Sequence, residues 1–408
     1  MHRGEPTPTV LVVGCGYVGE QLVAAFSRAY NVFALDVSAA RREILREQYA
    51  GNINVTVIGD VADSADARDF DLALISVPTL LEKDGQSVNT NHIKSAVEVV
   101  TRYAKPYSTV VVESSVTVGM TRNLLSDLRK RNVFVGFSPE RVDPGRTFPA
   151  FEDIPKVISG IDSESLERVQ FYYDRIFART VPTKSMETAE FTKLFENCQR
   201  LMLITYVNEM ADACALHGVD IQDVCQAAAS KPFGYTPFTP SLGAGGHCIP
   251  VNPYYLLVNN DLPLLRHAAE SNKERAYAKA EEIAGLAKKI SSLKQNGTRS
   301  AAGRVLIYGV GFKKGSDCLS HSPSLVVADE LARMGVDVAY VDDAVEGLKH
   351  LRIPSETLQR RVPGAAEGEE EYLLDASFDV VVVAHKPDAP HRAIFDQLRR
   401  TQVVYFAK

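Results

Sequence analysis

The feature that most constrains the fold is a regular alternation of short β-rich runs with helix-length amphipathic stretches, which begins at residue 9. The β-rich runs in the first 160 residues are bounded by turn residues or polar segments, and they read TVLVVG, NVFALD, DLALISVP, STVVVES, NVFVGF and KVISG. Such an alternation is typical of a doubly wound parallel sheet with helices on both faces. The sequence therefore predicts the α/β class.

The second half of the chain is organised differently. A helical pattern without Gly or Pro runs from Met186 to about His217, and a second helical stretch covers about 263–293. The polar, turn-rich segment 294–303 is typical of a linker, and a second strand–helix alternation follows it. We therefore expect a Rossmann-like domain over 1–185, a helical middle domain over 186–293 and a second Rossmann-like domain over 304–408.

Bulk composition narrows the functional class. The 408 residues are 45% hydrophobic and 24% charged, which is enough to bury substantial cores. No apolar run approaches the roughly 18 to 20 residues of a membrane helix, and the start lacks a signal-peptide core, so we expect a cytoplasmic protein without a membrane partner. The net charge of −6 argues against nucleic-acid binding. The six cysteines form no CxxC pair and no zinc-like spacing, so no metal site is expected.

The run VLVVGCGYVGEQL places Gly14, Gly16 and Gly19 after a predicted strand and at the start of a predicted helix. In this context the first glycine permits a tight turn, the second lets the backbone approach a pyrophosphate, and the third allows close helix–strand packing. The helix N-terminus then faces the anion. In the alternative interpretation, the three glycines serve close packing alone; the accompanying strand, helix and acidic residue favour the dinucleotide site.

That acidic residue is Asp36, which closes the second strand and is expected to bind ribose hydroxyls. Its negative charge opposes a 2′-phosphate and favours NAD over NADP, although the nearby Arg41 and Arg42 weaken this argument. The predicted NAD-binding residues of this region are Gly14, Gly16, Tyr17, Val18, Gly19 and Asp36.

A single cysteine stands out in SLGAGGHCIPVNPYYL, residues 241–256. A lone cysteine most often behaves as a small buried hydrophobe, and that interpretation of Cys248 stays open from the spacing alone. Gly245 and Gly246 remove side chains just before it, however, so that a substrate or cofactor can approach, and Pro250 stiffens the backbone after it. The alternative is therefore a catalytic thiol.

The run EFTKLFEN sets Glu190, Lys193 and Asn197 on one face of the long predicted helix. A lysine and an amide on one face can stabilise an oxyanion, and an ammonium near a thiol lowers its pKa. By spacing alone, a solvated face with a helical salt bridge is the commoner explanation.

Seven blocks then occur in a recognisable order: GCGYVG, SVPT, ESSVTVGMTR, FSPERVDPGR, EFTKLFEN, KPFGYTPFTPSLGAGGHC and GVGFKKGSD. Across nearly the whole chain they resemble the UDP-glucose/GDP-mannose dehydrogenase family, and the KPFGYTPF and PLLRHAAESN segments are most similar to the branch acting on UDP-N-acetylhexosamines. The resemblance implies two Rossmann-like domains joined by a long central helix. It also implies a four-electron oxidation, in which the 6-hydroxymethyl group of a nucleotide sugar becomes a carboxylate and two NAD are reduced.

The resemblance implies a role for each matching residue. Cys248 matches the nucleophile that captures the aldehyde as a thiohemiacetal, which is oxidised to a thioester and hydrolysed. Lys193 and Asn197 match the residues that stabilise the oxyanion. Glu140 matches a glutamate associated with thioester hydrolysis, and Lys313 matches a lysine that closes over the sugar nucleotide. For both residues, the alternative is a surface ion pair.

The remaining implied residues line the cofactor and the substrate. Ser115, where the family usually has a threonine, is expected near the nicotinamide. Family members dimerise through the helical region, so a homodimer is expected. The added cofactor-binding residues are Pro78, Thr79 and Ser115, and the expected substrate-binding residues are Lys193, Lys231, Phe233, Gly245, Gly246, Arg266 and Lys313.

Three departures from the family pattern keep other functions open. Asn252 stands where the family usually has an aspartate, and an amide cannot accept a proton. Leu319 or Ser320 occupies the place of a substrate-binding arginine, and the segment between Asp36 and Asp71 is short. The alternatives are a UDP-glucose or GDP-mannose 6-dehydrogenase, a catalytically impaired NAD- or sugar-nucleotide-binding homologue, and a plain hydroxyacid dehydrogenase without a covalent step.

Overall fold

The computed structural model describes residues 7–82, 84–142, 148–294, 302–363 and 370–407. The chain divides into two compact units, Met1–Glu196 with Tyr254–Asp261, and Asn197–Pro253 with Leu262–Lys408. The helical segment that the sequence assigned to a domain of its own is shared between these units, since most of it groups with the C-terminal sheet. Most of the predicted linker 294–303 lies outside the described residues.

The first unit is built on strands that follow the predicted β-rich runs. Its strands are β1 Thr9–Val13, β2 Asn31–Leu35, β3 Val55–Ile58, β4 Leu72–Ile75, β5 Leu80–Leu81, β6 Val88–Asn89, β7 Thr109–Val112, β8 Phe134–Phe137, β9 Lys156–Gly160 and β10 Thr180–Pro182. Its helices are α1 Tyr17–Phe26, α2 Ala39–Gln48, α3 Ala65–Arg68, α4 Asn91–Tyr103, α5 Met120–Leu125 and α6 Ser163–Tyr173.

Among the described residues, eight of these strands form one sheet in the order β10-β9-β8-β7-β4-β1-β2-β3. The order reverses between β1 and β4, which is the topological switch point at which doubly wound sheets bind their ligands. Strands β4, β7 and β8 are buried along their whole length, as expected for a sheet covered on both faces. The predicted parallel sheet is thus confirmed except at one edge, where β9 pairs antiparallel with β8.

Two long helices occupy the middle of the chain. Helix α7 spans Met186–Leu216 and α10 spans Pro263–Leu293, so both predicted helical stretches are confirmed to within a residue or two. Between them lie the short helices α8 Ile221–Ala229 and α9 Asn252–Leu257.

The C-terminal sheet of the second unit repeats the strand–helix alternation. Its ladder, as far as the structure describes it, has the order β13-β12-β11-β16-β17 with all neighbours parallel. The strands of this ladder are β11 Arg304–Tyr308, β12 Asp337–Val341, β13 Leu351–Arg352, β16 Val380–Val383 and β17 Gln402–Tyr405. A separate antiparallel pair is formed by β14 Arg361–Pro363 and β15 Glu370–Tyr372. The helices are α11 Pro323–Arg333, α12 Leu373–Ser377 and α13 Ala389–Phe395.

Two further searches of the described ranges gave negative results. No helix there has both the length and the apolar composition to cross a bilayer. The same residues contain no group of three or more His, Cys, Asp or Glu side chains arranged to hold a metal ion.

Candidate active site

The glycine loop between β1 and α1 has the geometry that its sequence predicts. Gly14 has a φ of +85°, and a Cβ there would lie 2.5 Å from the Ser76 carbonyl oxygen. A Cβ on Gly19 would lie 1.9 Å from the Gly14 carbonyl oxygen, so helix and strand pack at backbone distance. A Cβ on Gly16, in contrast, would meet nothing within 4 Å. Gly16 therefore leaves open space at the N-terminus of α1, where a pyrophosphate is expected.

Asp36 lies directly after β2 and connects this loop to the second strand. One carboxylate oxygen accepts the Cys15 N–H at 2.9 Å and the other accepts the Ser38 N–H at 2.8 Å. Each oxygen retains a lone pair for a ribose hydroxyl. Arg41 pairs with Glu20 and donates to the Cys15 carbonyl, and Arg42 donates to the Asp36 and Val37 carbonyls.

The loops after β4 and β7 are joined by Ser114, which the sequence did not single out. Its hydroxyl accepts the Val77 N–H at 2.9 Å and lies 2.8 Å from the Val77 carbonyl oxygen. This buried link holds Pro78 and Thr79, which follow Val77, beside the segment that carries Ser115. The sequence offered one clue, because Ser114 precedes Ser115 in ESSVTVG at the end of a predicted strand.

The face of α7 that carries Glu190, Lys193 and Asn197 is buried, with exposures of 1%, 7% and 9%. The solvated-face explanation is therefore wrong. Glu190 accepts the N–H groups of Gly119 at 2.5 Å and Thr121 at 3.0 Å, and so caps the start of α5. Its role is structural, while Lys193 and Asn197 stand one helical turn apart.

Glu140, in the turn after β8, is 9% exposed and accepts the Val142 N–H. A surface ion pair, the alternative to a functional role, is therefore wrong for this residue. Burial raises the pKa of Glu140, and the positive charge of Lys193 is the largest effect that opposes the rise. A carboxyl group with a raised pKa is suited to general acid–base chemistry.

The Cys248 turn leads into α9, since the Cys248 carbonyl accepts the N–H groups of Val251 and Asn252. None of the six cysteines, all within the described ranges, forms a disulfide, and Cys248 is the exposed one. Burial raises the pKa of both Cys15 and Cys198 to about 12, so those thiols are unreactive packing residues. His247, beside Cys248, has its Nε2 3.4 Å from the Cys318 Sγ.

Gly245 and Gly246 pack against the loop that follows β11. A Cβ on Gly245 would lie 2.9 Å from both the His321 carbonyl oxygen and the Phe312 Cβ, and one on Gly246 would lie 3.0 Å from the Phe312 ring. The Gly246 N–H also donates to the Ser320 carbonyl at 2.8 Å. The space next to these glycines is thus occupied by Phe312 and His321. The predicted contact of the two glycines with the substrate stays a prediction.

Asn252 lies at the start of α9, is 3% exposed, and its Oδ1 accepts a hydrogen bond from the Asn197 Nδ2. This contact fixes the direction of the Asn197 amide. An aspartate at position 252 would supply the same acceptor, so the departure from the family pattern preserves the hydrogen bond and removes the charge.

Two long helices hold the segment that leads to Cys248. Asn208 on α7 accepts the Ser241 N–H at 2.7 Å, and Arg275 on α10 donates to the Ser241 carbonyl at 2.9 Å. Asn272 accepts the Ala244 N–H at 2.7 Å and donates to the Ala244 carbonyl at 3.2 Å. Buried side-chain amides that satisfy a loop backbone on both sides make that loop rigid. No pattern in the sequence predicts these hydrogen bonds.

Comparison with known proteins decides the family. The model of the UDP-glucose/GDP-mannose dehydrogenase NAD-binding domain matches residues 8–177, and the model of the central domain matches residues 187–274. The chain belongs to the UDP-glucose/GDP-mannose dehydrogenase family. It is therefore an NAD-dependent oxidoreductase of nucleotide sugars, and the predicted NAD cofactor is confirmed.

Two curated relatives and one solved structure show the range of the similarity. The UDP-N-acetyl-D-glucosamine 6-dehydrogenase of Pseudomonas aeruginosa is 30% identical over 82% of either chain. The UDP-N-acetyl-D-mannosamine dehydrogenase of Methanococcus maripaludis is 26% identical over 89% of this chain and 86% of its own. The UDP-D-ManNAc dehydrogenase structure of Pyrococcus horikoshii has a TM-score of 0.80 at 23% identity, covers 98% of this chain and 95% of its own, and shows the shared fold.

The residues of the first unit fit NAD. The open space at Gly16, the carboxylate of Asp36 and the loops of Thr79 and Ser115 all lie at the carboxyl ends of the parallel strands. This end of the first sheet thus offers acceptor groups and open space that fit NAD.

The other predicted substrate residues belong to the second unit. The Lys231 ammonium lies 4.8 Å from the centre of the Phe233 ring, and both side chains are exposed after α8. Arg266 is exposed in the first turn of α10, and Lys313 is half-buried in the loop after β11. Their contact with a sugar nucleotide stays a prediction.

Proposed function

We propose that the protein oxidises a UDP-N-acetylhexosamine at C6 to the uronic acid through a covalent intermediate on Cys248. The observation that carries this proposal is the exposure of Cys248 directly after a segment that Asn208, Asn272 and Arg275 hold by its backbone. The names of the relatives support the N-acetylhexosamine class, while the gluco or manno configuration depends on pocket shape.

In the first oxidation, Lys193 and Asn197 stabilise the negative charge that forms on the substrate. Bound NAD supplies a hydride acceptor. The C6 oxygen gains negative charge as its hydroxyl proton is lost to water, and an ammonium and an oriented amide N–H group stabilise that charge. The buried state of both side chains and the Asn197–Asn252 contact support this assignment, because fixed donors need no reorganisation during the reaction.

In the second half of the reaction, the thiolate of Cys248 attacks the aldehyde carbon and forms a thiohemiacetal, which is oxidised to a thioester. Water then attacks the thioester carbonyl. Asn252 cannot accept the proton from this water, so the task falls to Glu140, whose burial and raised pKa support the assignment.

We also propose that the active form is a homodimer. Helix α7 exposes Phe191, Phe195, Tyr206 and Leu216, with exposed fractions of 43%, 59%, 59% and 88%. A helix with several exposed large apolar residues usually buries them against a partner. Light scattering at micromolar concentration should give twice the monomer mass, and a monomeric mass would contradict this part of the proposal.

The covalent mechanism is tested by Cys248→Ser, with Cys318→Ser as the matched control. Uronic acid production should fall by on the order of 10³-fold or more in Cys248→Ser and stay near the wild-type rate in Cys318→Ser. Unchanged acid production in folded Cys248→Ser would exclude the covalent step. A wild-type protein that binds NAD and turns over no nucleotide sugar would instead favour the catalytically impaired homologue, for which Asn252 is the specific indication.

A further inference from the structure

A buried cluster of three polar side chains lies beside Glu140 in the first unit. Glu113 follows β7, Lys156 begins β9 and Tyr173 ends α6, with exposed fractions of 1%, 4% and 0%. The Lys156 Nζ lies 2.5 Å from one Glu113 carboxylate oxygen, and the Tyr173 hydroxyl donates to the other. The same ammonium donates to the Pro139 carbonyl at 3.1 Å.

Stability alone does not account for such a cluster. Removing two charges from water costs about as much as their attraction returns, and apolar residues of similar volume often serve a core as well. The cluster instead connects two functional segments. Lys156 holds the carbonyl group one residue before Glu140, and Glu113 directly precedes Ser114 and Ser115.

The charges around Glu140 come from several elements. Lys193 on α7 and Lys156 on β9 are cations that stabilise its ionised form, and Glu113 is an anion that opposes it. The adjacent Arg141 is directed to Glu196. Burial and the nearby Glu113 charge raise the pKa of Tyr173 well above its ordinary value, so Tyr173 stays a neutral donor.

We propose that Lys156 and Glu113 are positioning residues for Glu140. The Lys156–Pro139 contact holds the turn that carries Glu140, and the two opposite charges set the pH range in which Glu140 acts. The inference rests on the proposed role of Glu140 in thioester hydrolysis. In that step the water oxygen bonds to the carbonyl carbon, a water proton passes to the Glu140 carboxylate, the C–S bond breaks and its electron pair stays on the Cys248 sulfur.

The test is the pH dependence of thioester hydrolysis, measured by rapid quench during a single turnover. Glu140 must be ionised to accept the proton, so the rate falls on the acidic side as Glu140 is protonated. Lys156→Met removes a cation and should move this acidic limb to higher pH, whereas Glu113→Gln removes an anion and should move it to lower pH. Each shift should be on the order of one pH unit.

Lys156→Arg is the matched control, because it keeps the positive charge and should keep the limb within a few tenths of a pH unit of wild type. Circular dichroism and thermal unfolding identify any variant that does not fold. If Lys156→Met does not fold, the question is decided by the shift of Glu113→Gln to lower pH, measured against the unshifted limb of Lys156→Arg. The proposal is wrong if folded Lys156→Met and Glu113→Gln leave the acidic limb in place or shift it in the same direction.

Glu140→Gln separates this inference from the proposed function. If hydrolysis and its acidic limb are unchanged in Glu140→Gln, Glu140 is not the group that accepts the proton, and the proposed role fails. If Glu140→Gln loses about 10²-fold or more in hydrolysis rate while the two charge variants leave the limb in place, the role of Glu140 stands and the positioning inference fails.

Discussion

The two sheets of this protein begin with the same strand–glycine-loop pattern and use it in opposite ways. After β1, Gly16 faces open space, and Asp36 accepts two backbone N–H groups. After β11, a Cβ on Gly311 would lie 2.5 Å from the Ser316 carbonyl oxygen, because the loop folds back on itself. Asp342, the counterpart of Asp36, is 8% exposed and accepts N–H groups from Val310, Gly311, Ala344 and Val345.

The difference shows that a glycine loop and an acidic residue after a strand do not by themselves make a dinucleotide site. A carboxylate has about four lone-pair sites, and backbone donors occupy all of them in Asp342 and about half of them in Asp36. The first loop is therefore equipped to bind a cofactor, and the second is closed by its own contacts.

The largest expected effect comes from exchanging each aspartate for asparagine. Asp342→Asn directs an amide NH₂ group at two backbone N–H groups and should lower the free energy of unfolding by about 2 to 4 kcal/mol, with NAD affinity unchanged. Asp36→Asn should weaken NAD binding about tenfold and lower the free energy of unfolding by less than about 1 kcal/mol, because its NH₂ group meets only the solvent-exposed Ser38 N–H. Chemical denaturation and calorimetric NAD titration measure both quantities. Equal effects of the two substitutions on NAD affinity would remove the distinction.

One glycine in each loop, Gly16 after β1 and Gly311 after β11, gives a second test of the difference between the two loops. Gly16→Val adds a side chain in open space, so the protein should fold normally and lose about tenfold to a hundredfold in NAD affinity. Gly311→Val places a Cβ against the Ser316 carbonyl and should cost about 1 to 3 kcal/mol of stability without changing NAD affinity at a temperature where it stays folded. Normal NAD binding in Gly16→Val would show that the cofactor does not approach this loop.

The smallest expected effect is on the pH dependence of stability, and it concerns the buried carboxyl groups Asp342 and Glu140. Asp342 accepts four backbone N–H groups, and Glu140 accepts one. Burial raises the pKa of Glu140. A carboxyl group whose pKa is higher in the folded state contributes stability that is lost as the pH rises through that pKa. The stability of Glu140→Gln relative to wild type should therefore increase by less than about 2 kcal/mol as the pH rises from about 4 to 8. A difference that is independent of pH would contradict the raised pKa.

Much of the fold follows from the sequence, because local patterns determine it. The buried runs of β1, β4 and β7 and the helices α7 and α10 follow from hydrophobic periodicity, and α7 follows also from the absence of Gly and Pro. The antiparallel direction of β9 was not predicted, since a run such as KVISG carries no information about strand direction. Strand β3, with the short run VTVI, was also missed.

The sequence predicted those residues of the candidate site that belong to short motifs. It did not predict the contacts that depend on packing between distant segments. The roles of Gly14 and Gly19 follow from their spacing. The contacts of Asn272 with Ala244 and of Asn197 with Asn252 join residues distant in sequence, so no local pattern predicts them. The contact between Gly246 and the Phe312 ring is another that no local pattern predicts. The sequence suggested that the missing side chain at Gly246 leaves room for a ligand, whereas the ring of Phe312 packs there.

The number of NADH formed per nucleotide sugar consumed distinguishes a four-electron oxidation through Cys248 from a single hydride transfer. The substrates to compare are UDP-N-acetylglucosamine, its galacto and manno epimers, UDP-glucose and GDP-mannose. We expect two NADH per molecule of one UDP-N-acetylhexosamine, with the uronic acid as product. One NADH per substrate, at a rate unaffected by Cys248→Ser, would contradict this expectation.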